Sequence, residues 1–141
     1  IKHCKDFGNA GGAFESVQTI GGDFVVDSCG YGTDGYNTLW DLKYMTELRT
    51  VGGNLQWIEN PNMNSLGGFQ FITEIGGDVT IIDHPTSGGA IQDAVDGNGN
   101  PGWCAVKDAL DAGVIQPDAA IFLQRQDGSQ VDLNAISNCT Y

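Results

Sequence analysis

The chain has 141 residues and carries eighteen acids against six bases, a formal charge of −12. That surplus repels phosphate backbones and anionic lipid surfaces, so no nucleic-acid partner is expected. The length suits a single domain, residues 1–141, able to bury a core without a structural metal, and no apolar run approaches the roughly 20 residues that cross a bilayer, so no direct membrane insertion is expected.

Glycine is abundant, at 21 residues, against a usual share of roughly 7%, and much of it recurs at equivalent places. Residues 1–13, with Cys4 and the loop Gly8–Gly12, are expected to cap the open apolar end of the first repeat. No secretory apolar stretch stands at the start, so any leader is expected to have been removed or to lie outside this sequence. One pattern is then written three times. It runs Phe14, Val17, Ile20, Gly21-Gly22-Asp23, Phe24, Val26; then Leu39, Leu42, Met45, Leu48, Val51, Gly52-Gly53-Asn54, Leu55, Trp57; then Leu66, Phe69, Ile72, Ile75, Gly76-Gly77-Asp78, Val79, Ile81. Each copy places an apolar residue at every third position, then a Gly-Gly turn, then an alternating strand. Self-similarity at this short period is the signature of stacked supersecondary units. The turns begin at Gly21, Gly52 and Gly76. The longer first spacing fits a surface insertion at Gly30–Asn37, which contains Tyr31 and Tyr36, and binding residues often sit on such loops.

Phe24-x-Val26-x-x-Cys29 and Leu55-x-Trp57-x-x-Asn60 match the leucine-rich-repeat core pattern of two alternate apolar residues followed by Asn or Cys. Val79-x-Ile81-x-x-His84 departs at the last position, so either His84 replaces the asparagine bond between neighbouring turns or that ladder ends there. The stretch Ser65–Ile81, with its Leu66, Phe69, Ile72, Ile75 and Gly76-Gly77-Asp78, resembles the repeats of receptor L-domain-like proteins, the leucine-rich-repeat-related solenoids of growth-factor receptor ectodomains and of many microbial and algal surface proteins. The resemblance covers about residues 14–85. It implies an α/β repeat solenoid, a short right-handed coil of about three parallel-strand repeats, displayed outside the cell or secreted. It implies no catalytic residues.

Beyond Pro85 the repeat fails, because positions 24 residues after Phe69, Ile72 and Ile75 are Asp93, Asp96 and Gly99. Residues 86–141 are therefore expected to form a C-terminal cap of one helix and a hairpin. Asn100-Pro101 suits a helix N-cap and first turn, Trp103, Val106 and Leu110 form an apolar stripe, and Gly113 suits the stop. Asn100-Pro101-Gly102-Trp103-Cys104 also loosely resembles the Asn-Pro-Trp-x-Cys start of cysteine-rich caps on leucine-rich proteins, with one glycine intervening and a second early cysteine missing. Ile121-x-Leu123 and Val131-x-Leu133 around Asp127-Gly128 read as a hairpin with a two-residue turn. Its strands either extend the repeat sheet or expose an edge.

Cys4, Cys29, Cys104 and Cys139 form no Cys-x-x-Cys pair, which favours disulfides in an oxidising compartment over zinc. Two precede the best-matched repeats and two follow them, so Cys4–Cys29 and Cys104–Cys139 are the expected pairs. Asn138-Cys139-Thr140 is a glycosylation sequon on a candidate glycoprotein. Asp96-x-Asn98-x-Asn100 opens like a calcium loop, but Pro101 and Lys107 stand where such a loop needs Gly and Glu, and no metal or cofactor is expected. Nucleophile elbows, His-Glu-x-x-His and phosphate-cradling loops are absent from the sequence, so no catalytic residue is assigned. The candidate binding residues are the outward positions of the three strands and the insertion. They are Asp23, Val25 and Asp27; Asn54, Gln56 and Ile58; Asp78, Thr80 and Ile82; and Tyr31 and Tyr36. The expected function is a non-enzymatic, secreted or cell-surface recognition or adhesion module for a protein or glycan ligand. The competing expectation is a structural subunit whose identical copies assemble into an extracellular fibre, appendage or coat.

Overall fold

Each repeat folds as two short strands separated by its Gly-Gly turn: β1 (Thr19–Ile20) and β2 (Phe24–Asp27), β3 (Thr50–Val51) and β4 (Leu55–Ile58), β5 (Glu74–Ile75) and β6 (Val79–Ile82). The computed structural model describes residues 15–29, 45–61, 63, 65–84, 91–93, 102–136 and 139. Equivalent strands lie side by side and parallel, so the described residues form a mixed α/β fold with two parallel sheets, ordered β1-β3-β5 and β2-β4-β6-β7, and one α-helix. The register keeps the repeat phase: Phe24 faces Leu55 and Leu55 faces Val79, while Val26 faces Trp57 and Trp57 faces Ile81.

The Gly-Gly turns are dictated by how closely the units approach. A Cβ on Gly52 would stand 2.7 Å from the Gly21 carbonyl oxygen, and one on Gly76 would stand 2.5 Å from that of Gly52. At Gly53 and Gly77 the space of the missing Cβ is occupied by the Oδ1 atoms of Asp23 and Asn54. Those oxygens form a ladder along the turns. Asp23 Oδ1 accepts the Asn54 N–H at 2.8 Å, Asn54 Oδ1 the Asp78 N–H at 2.8 Å, and Asp78 Oδ1 the Ala120 N–H at 2.9 Å.

The apolar residue at every third place is a 3-10 signature, since side chains at i and i+3 eclipse in that helix. Gly67–Phe71 is 3-10 helical, flanked by Leu66 and Ile72, and the turn before β3 repeats its i to i+3 bond in miniature, Leu48 N–H to Met45 O at 3.1 Å. Leu66, Phe69, Ile72, Met45 and Leu48 all turn into one core with Val26, Leu55, Trp57, Val79 and Ile81. Burial of each such side chain contributes roughly 1.5–3 kcal/mol.

The repeat does not stop at Pro85. β7 (Ile121–Gln124) pairs parallel with β6, Val79 opposite Ile121 and Ile81 opposite Leu123, and Ile115 bridges Ile75 in the other sheet. A fourth rung therefore completes the stack, 42 residues on instead of 24, and projection at constant spacing misses it. The chain between β6 and β7 includes α1 (Trp103–Asp111), which packs on the 3-10 helix. The helix belongs to an excursion within the stack and not to a cap beyond it.

The N-cap of α1 falls two residues later than the Asn100-Pro101 signal suggests, on Gly102, whose missing side chain cannot cap. The carbonyls of Gln92 and Asp93 take the first N–H groups instead, from Trp103 and Cys104 at 2.8 and 2.9 Å. Asn100 and Pro101 themselves lie outside the described residues. The C-terminal stop is as expected: Gly113 adopts φ +72°, with Gly113 N–H on Leu110 O at 3.0 Å and Val114 N–H on Ala109 O at 2.9 Å, a Schellman closure.

The terminal hairpin has a three-residue loop rather than the expected two. Arg125 N–H meets Ser129 O at 2.8 Å, Gly128 N–H meets Arg125 O at 2.9 Å, and Gly128 takes φ +84°, the three-residue geometry in which a left-handed glycine follows a tight turn. The return arm is brief, one bridge between Gln124 and Gln130 and a Val131 N–H to Leu123 O bond at 3.0 Å. It closes the far edge of β7.

Cys104 and Cys139 form the expected disulfide, with Cα atoms 5.3 Å apart. Cys29 is fully buried, its Sγ 3.4 Å from the Asp27 carbonyl oxygen, while Cys4 lies outside the described residues, as does residues 1–13 as a cap.

Candidate ligand-binding face

Alternation along each strand sends Phe24, Val26 and their equivalents into the core and the intervening residues outward. The parallel register aligns those outward residues in two rows across the sheet: Val25, Gln56, Thr80 and Phe122, then Asp27, Ile58, Ile82 and Gln124. Among the described residues the face is four strands wide, not three, and spans about 14 Å between β2 and β7 at the usual spacing. Seven of the eight side chains are half-buried, and Phe122 is 39% exposed.

The two rows differ in how far their polar groups are committed. Asp27 accepts the Ser28 hydroxyl at 2.8 Å, and Gln124 Nε2 donates to the Gly128 carbonyl at 3.0 Å. In the middle of the face, Gln56 and Thr80 stand directly opposite each other, and among the described residues neither side chain is engaged in a hydrogen bond. A carboxamide and a hydroxyl flanked by Ile58, Ile82 and Phe122 offer donors and acceptors on an apolar floor. This is hydrogen-bonding chemistry without an ionised group at its centre.

The remaining sequence candidates fall elsewhere. Asp23, Asn54 and Asp78 do not lie on this face; they occupy the turns, and their Oδ1 atoms are committed to the ladder between units. Tyr31, Tyr36, the Asp96–Asn100 stretch and Asn138 lie outside the described residues. Cys139 in the middle of the sequon is half-buried and disulfide-bonded. Phe122 and Gln124 were missed as site residues, although the alternation Ile121-x-Leu123 was the signal that could have found them.

Behind the face, Asn60 performs the role its place in the repeat suggests. It is buried, its Oδ1 accepting the Cys29 N–H at 2.9 Å and its Nδ2 donating to the Val26 carbonyl at 3.1 Å. In the next unit His84 occupies the equivalent place and is buried too. Its neighbour Asp83 turns inward and accepts the Ile91 N–H at 3.0 Å. Burial pushes the Asp83 carboxyl up from its ordinary value, partly offset by the Ile91 and His84 N–H groups and the His84 charge.

A second concavity, about 200 Å³, lies where α1 meets the 3-10 helix and is floored by Phe69, Ile72, Ala105, Ala109 and Val114 with Asp108 at its rim. Among the described residues no group of three His, Cys, Asp or Glu could hold a metal ion, and no helix is long and apolar enough to cross a membrane. The described cations are all engaged with acids: Arg49 with Glu47 at 3.8 Å, Arg125 with Asp93 at 2.5 Å, and Lys107 with Asp111. Comparison with protein-family models, with curated proteins and with solved structures gave no match.

Proposed function

We propose that the chain is a non-enzymatic recognition module, secreted or displayed at a cell surface, built on a short right-handed leucine-rich-repeat-like solenoid of the receptor L-domain-like kind. The ligand is a protein or glycan that reads the outward face of the four-stranded sheet. The observation that carries this reading is the pair Gln56 and Thr80, unengaged polar side chains held in register on an apolar floor. Repeat proteins commonly bind through such a face. The strands stacked in repeat phase support the solenoid class, and the Cys104–Cys139 disulfide supports an oxidising compartment.

The double variant Gln56→Ala, Thr80→Val tests the face, because both side chains point away from the core and the substitutions remove the polar groups without adding charge. Purified protein is screened on glycan arrays and on intact cells, and the best binder is titrated against both forms. The expected result is about a tenfold or larger loss of affinity with unchanged thermal stability. Equal binding by both forms would remove the face from consideration. The fibre or coat reading makes the opposite forecast, ordered polymers by electron microscopy and no ligand in any screen. Closure of the β7 edge by the return arm disfavours polymer growth by strand addition at that end.

A further inference from the structure

The side that α1 turns toward the 3-10 helix is built from small residues. Ala105, Ala109 and Ala112 stand at i, i+4 and i+7 along α1 and its C-cap, so they share one face. Phe69 and Ile72 line the other wall. Protein interiors are ordinarily filled to crystal density. Three alanines, where longer side chains would close the gap, leave an open hollow of about 200 Å³. Its floor of Phe69, Ile72, Ala105 and Ala109 is buried, while Gln70 and Ala112, one from each element, are exposed at its mouth.

The charge at the rim points to an occupant. Asp108 is half-buried there, and its carboxylate meets no cation among the described residues. Lys107, the one base of α1, is held by Asp111. The residues within ion-pair reach of Asp108 on the helix, Cys104, Ala105, Asp111 and Ala112, carry no positive charge. Asp108 and Asp111 both stand in the last turn, which contains no base. That is the negative end of the helix dipole, where a carboxylate is unfavourable and a cation is favoured. α1 thus forgoes close packing and dipole compensation at the same end, and such departures from local rules gather at functional sites.

We propose that this hollow binds a small organic ammonium ion, a primary amine on an apolar body of about six to eight carbons. The body rests on the floor of Phe69, Ile72 and Ala109, and the ammonium meets the Asp108 carboxylate. Volume sets the size, since a cavity of about 150 Å³ takes a benzene molecule. Charge sets the sign, because the rim carboxylate and the formal −12 of the chain concentrate cations and repel anions. Gln70 lines the same hollow and offers a carbonyl oxygen to a second ammonium hydrogen. The hollow shares no residue with the sheet face, so this proposal and the recognition reading stand or fall separately.

The test titrates hexylamine and phenethylamine, both protonated at neutral pH, into nitrogen-15-labelled protein. Saturable shifts are expected at the amides of Asp108, Ala109, Ala112 and Val114, with affinity falling as salt is raised. Hexanol keeps the apolar body without the charge and binds about fivefold less tightly than hexylamine, and hexanoate does not saturate. Asp108→Asn loses hexylamine affinity by a similar factor. Its melting temperature does not fall, because an unfavourable charge leaves the helix C-terminus. Ala109→Leu fills the hollow from its floor and abolishes the shifts, with a melting temperature at or above that of the parent. The proposal is overturned if neither amine produces saturable shifts at these amides, if hexanol binds as tightly as hexylamine, or if Asp108→Asn and Ala109→Leu leave amine binding intact.

Discussion

Asp83 is the buried acid among the described residues, 3% exposed, and its environment links stability to pH. Burial holds its carboxyl above the ordinary 3.8, against the opposing pull of the Ile91 and His84 N–H groups and the His84 charge. A carboxyl whose folded value is raised keeps its proton more tightly in the folded chain than in the unfolded one. The stability this supplies is fully present below the unfolded value and is lost as pH rises through the folded value. Asp83→Asn retains an acceptor for the Ile91 N–H and removes the titration. The variant should therefore melt above the parent at pH 7, with the gap closing as pH falls toward 3.8, measured by circular dichroism across a pH series. Asp127 titrates in the opposite sense, its carboxyl lowered chiefly by the Ser129 hydroxyl and N–H, but it is common to both proteins and drops out of the difference. A gap that stays constant with pH would show that Asp83 is ionised or protonated alike in both states.

Among the elements, two glycines make separate physical demands. Gly113 needs conformation: φ is +72° and a Cβ would meet nothing within 4 Å, so alanine there costs only the left-handed backbone penalty, about 1 kcal/mol. Gly77 needs space: a Cβ would meet Asn54 Oδ1 and come within 2.8 Å of the Gly53 backbone. Alanine there displaces a rung of the ladder, and the cost is expected at about 2–3 kcal/mol, in the range of overpacking. Urea denaturation of Gly77→Ala and Gly113→Ala should rank them in that order, and the reverse order would contradict the stacking account. The same residues show what a sequence can convey. The Gly-Gly turns and the period-three apolar positions expose the first three rungs, because each of those units carries the same turn and the same apolar pattern although the first spacing is longer. The fourth rung was hidden by the excursion that contains α1, and by Asp118-Ala119 standing where the other units have glycines. On the face, Gln56 and Thr80 were legible from strand alternation. The turn role of Asp23, Asn54 and Asp78 was not, since it depends on the neighbouring unit's N–H, which lies 31, 24 or 42 residues away.

At the scale of the molecule, the excursion is the costliest part to order, because the loop between β6 and β7 must close before the fourth rung can form. The Cys104–Cys139 bond spans 35 residues and joins α1 to the chain beyond β7, so it constrains the segment whose closure is slowest to be repaid. By the loop-entropy relation a crosslink of this span is worth about 4 kcal/mol. Cys104 is fully buried, so replacing it also removes packing, and reduction of the unmodified protein is the cleaner experiment. Reducing agent should lower the melting temperature by roughly 10–15 °C, and the Cys104→Ala, Cys139→Ala variant should melt at least as low with or without reductant. Hydrogen exchange then locates the effect. Amides of α1 and β7 should lose protection first, while those of β3 and β4, stacked between units that the bond does not span, should hold theirs. Uniform loss across all four rungs would mean that the stack unfolds as one cooperative body with the excursion as an integral part.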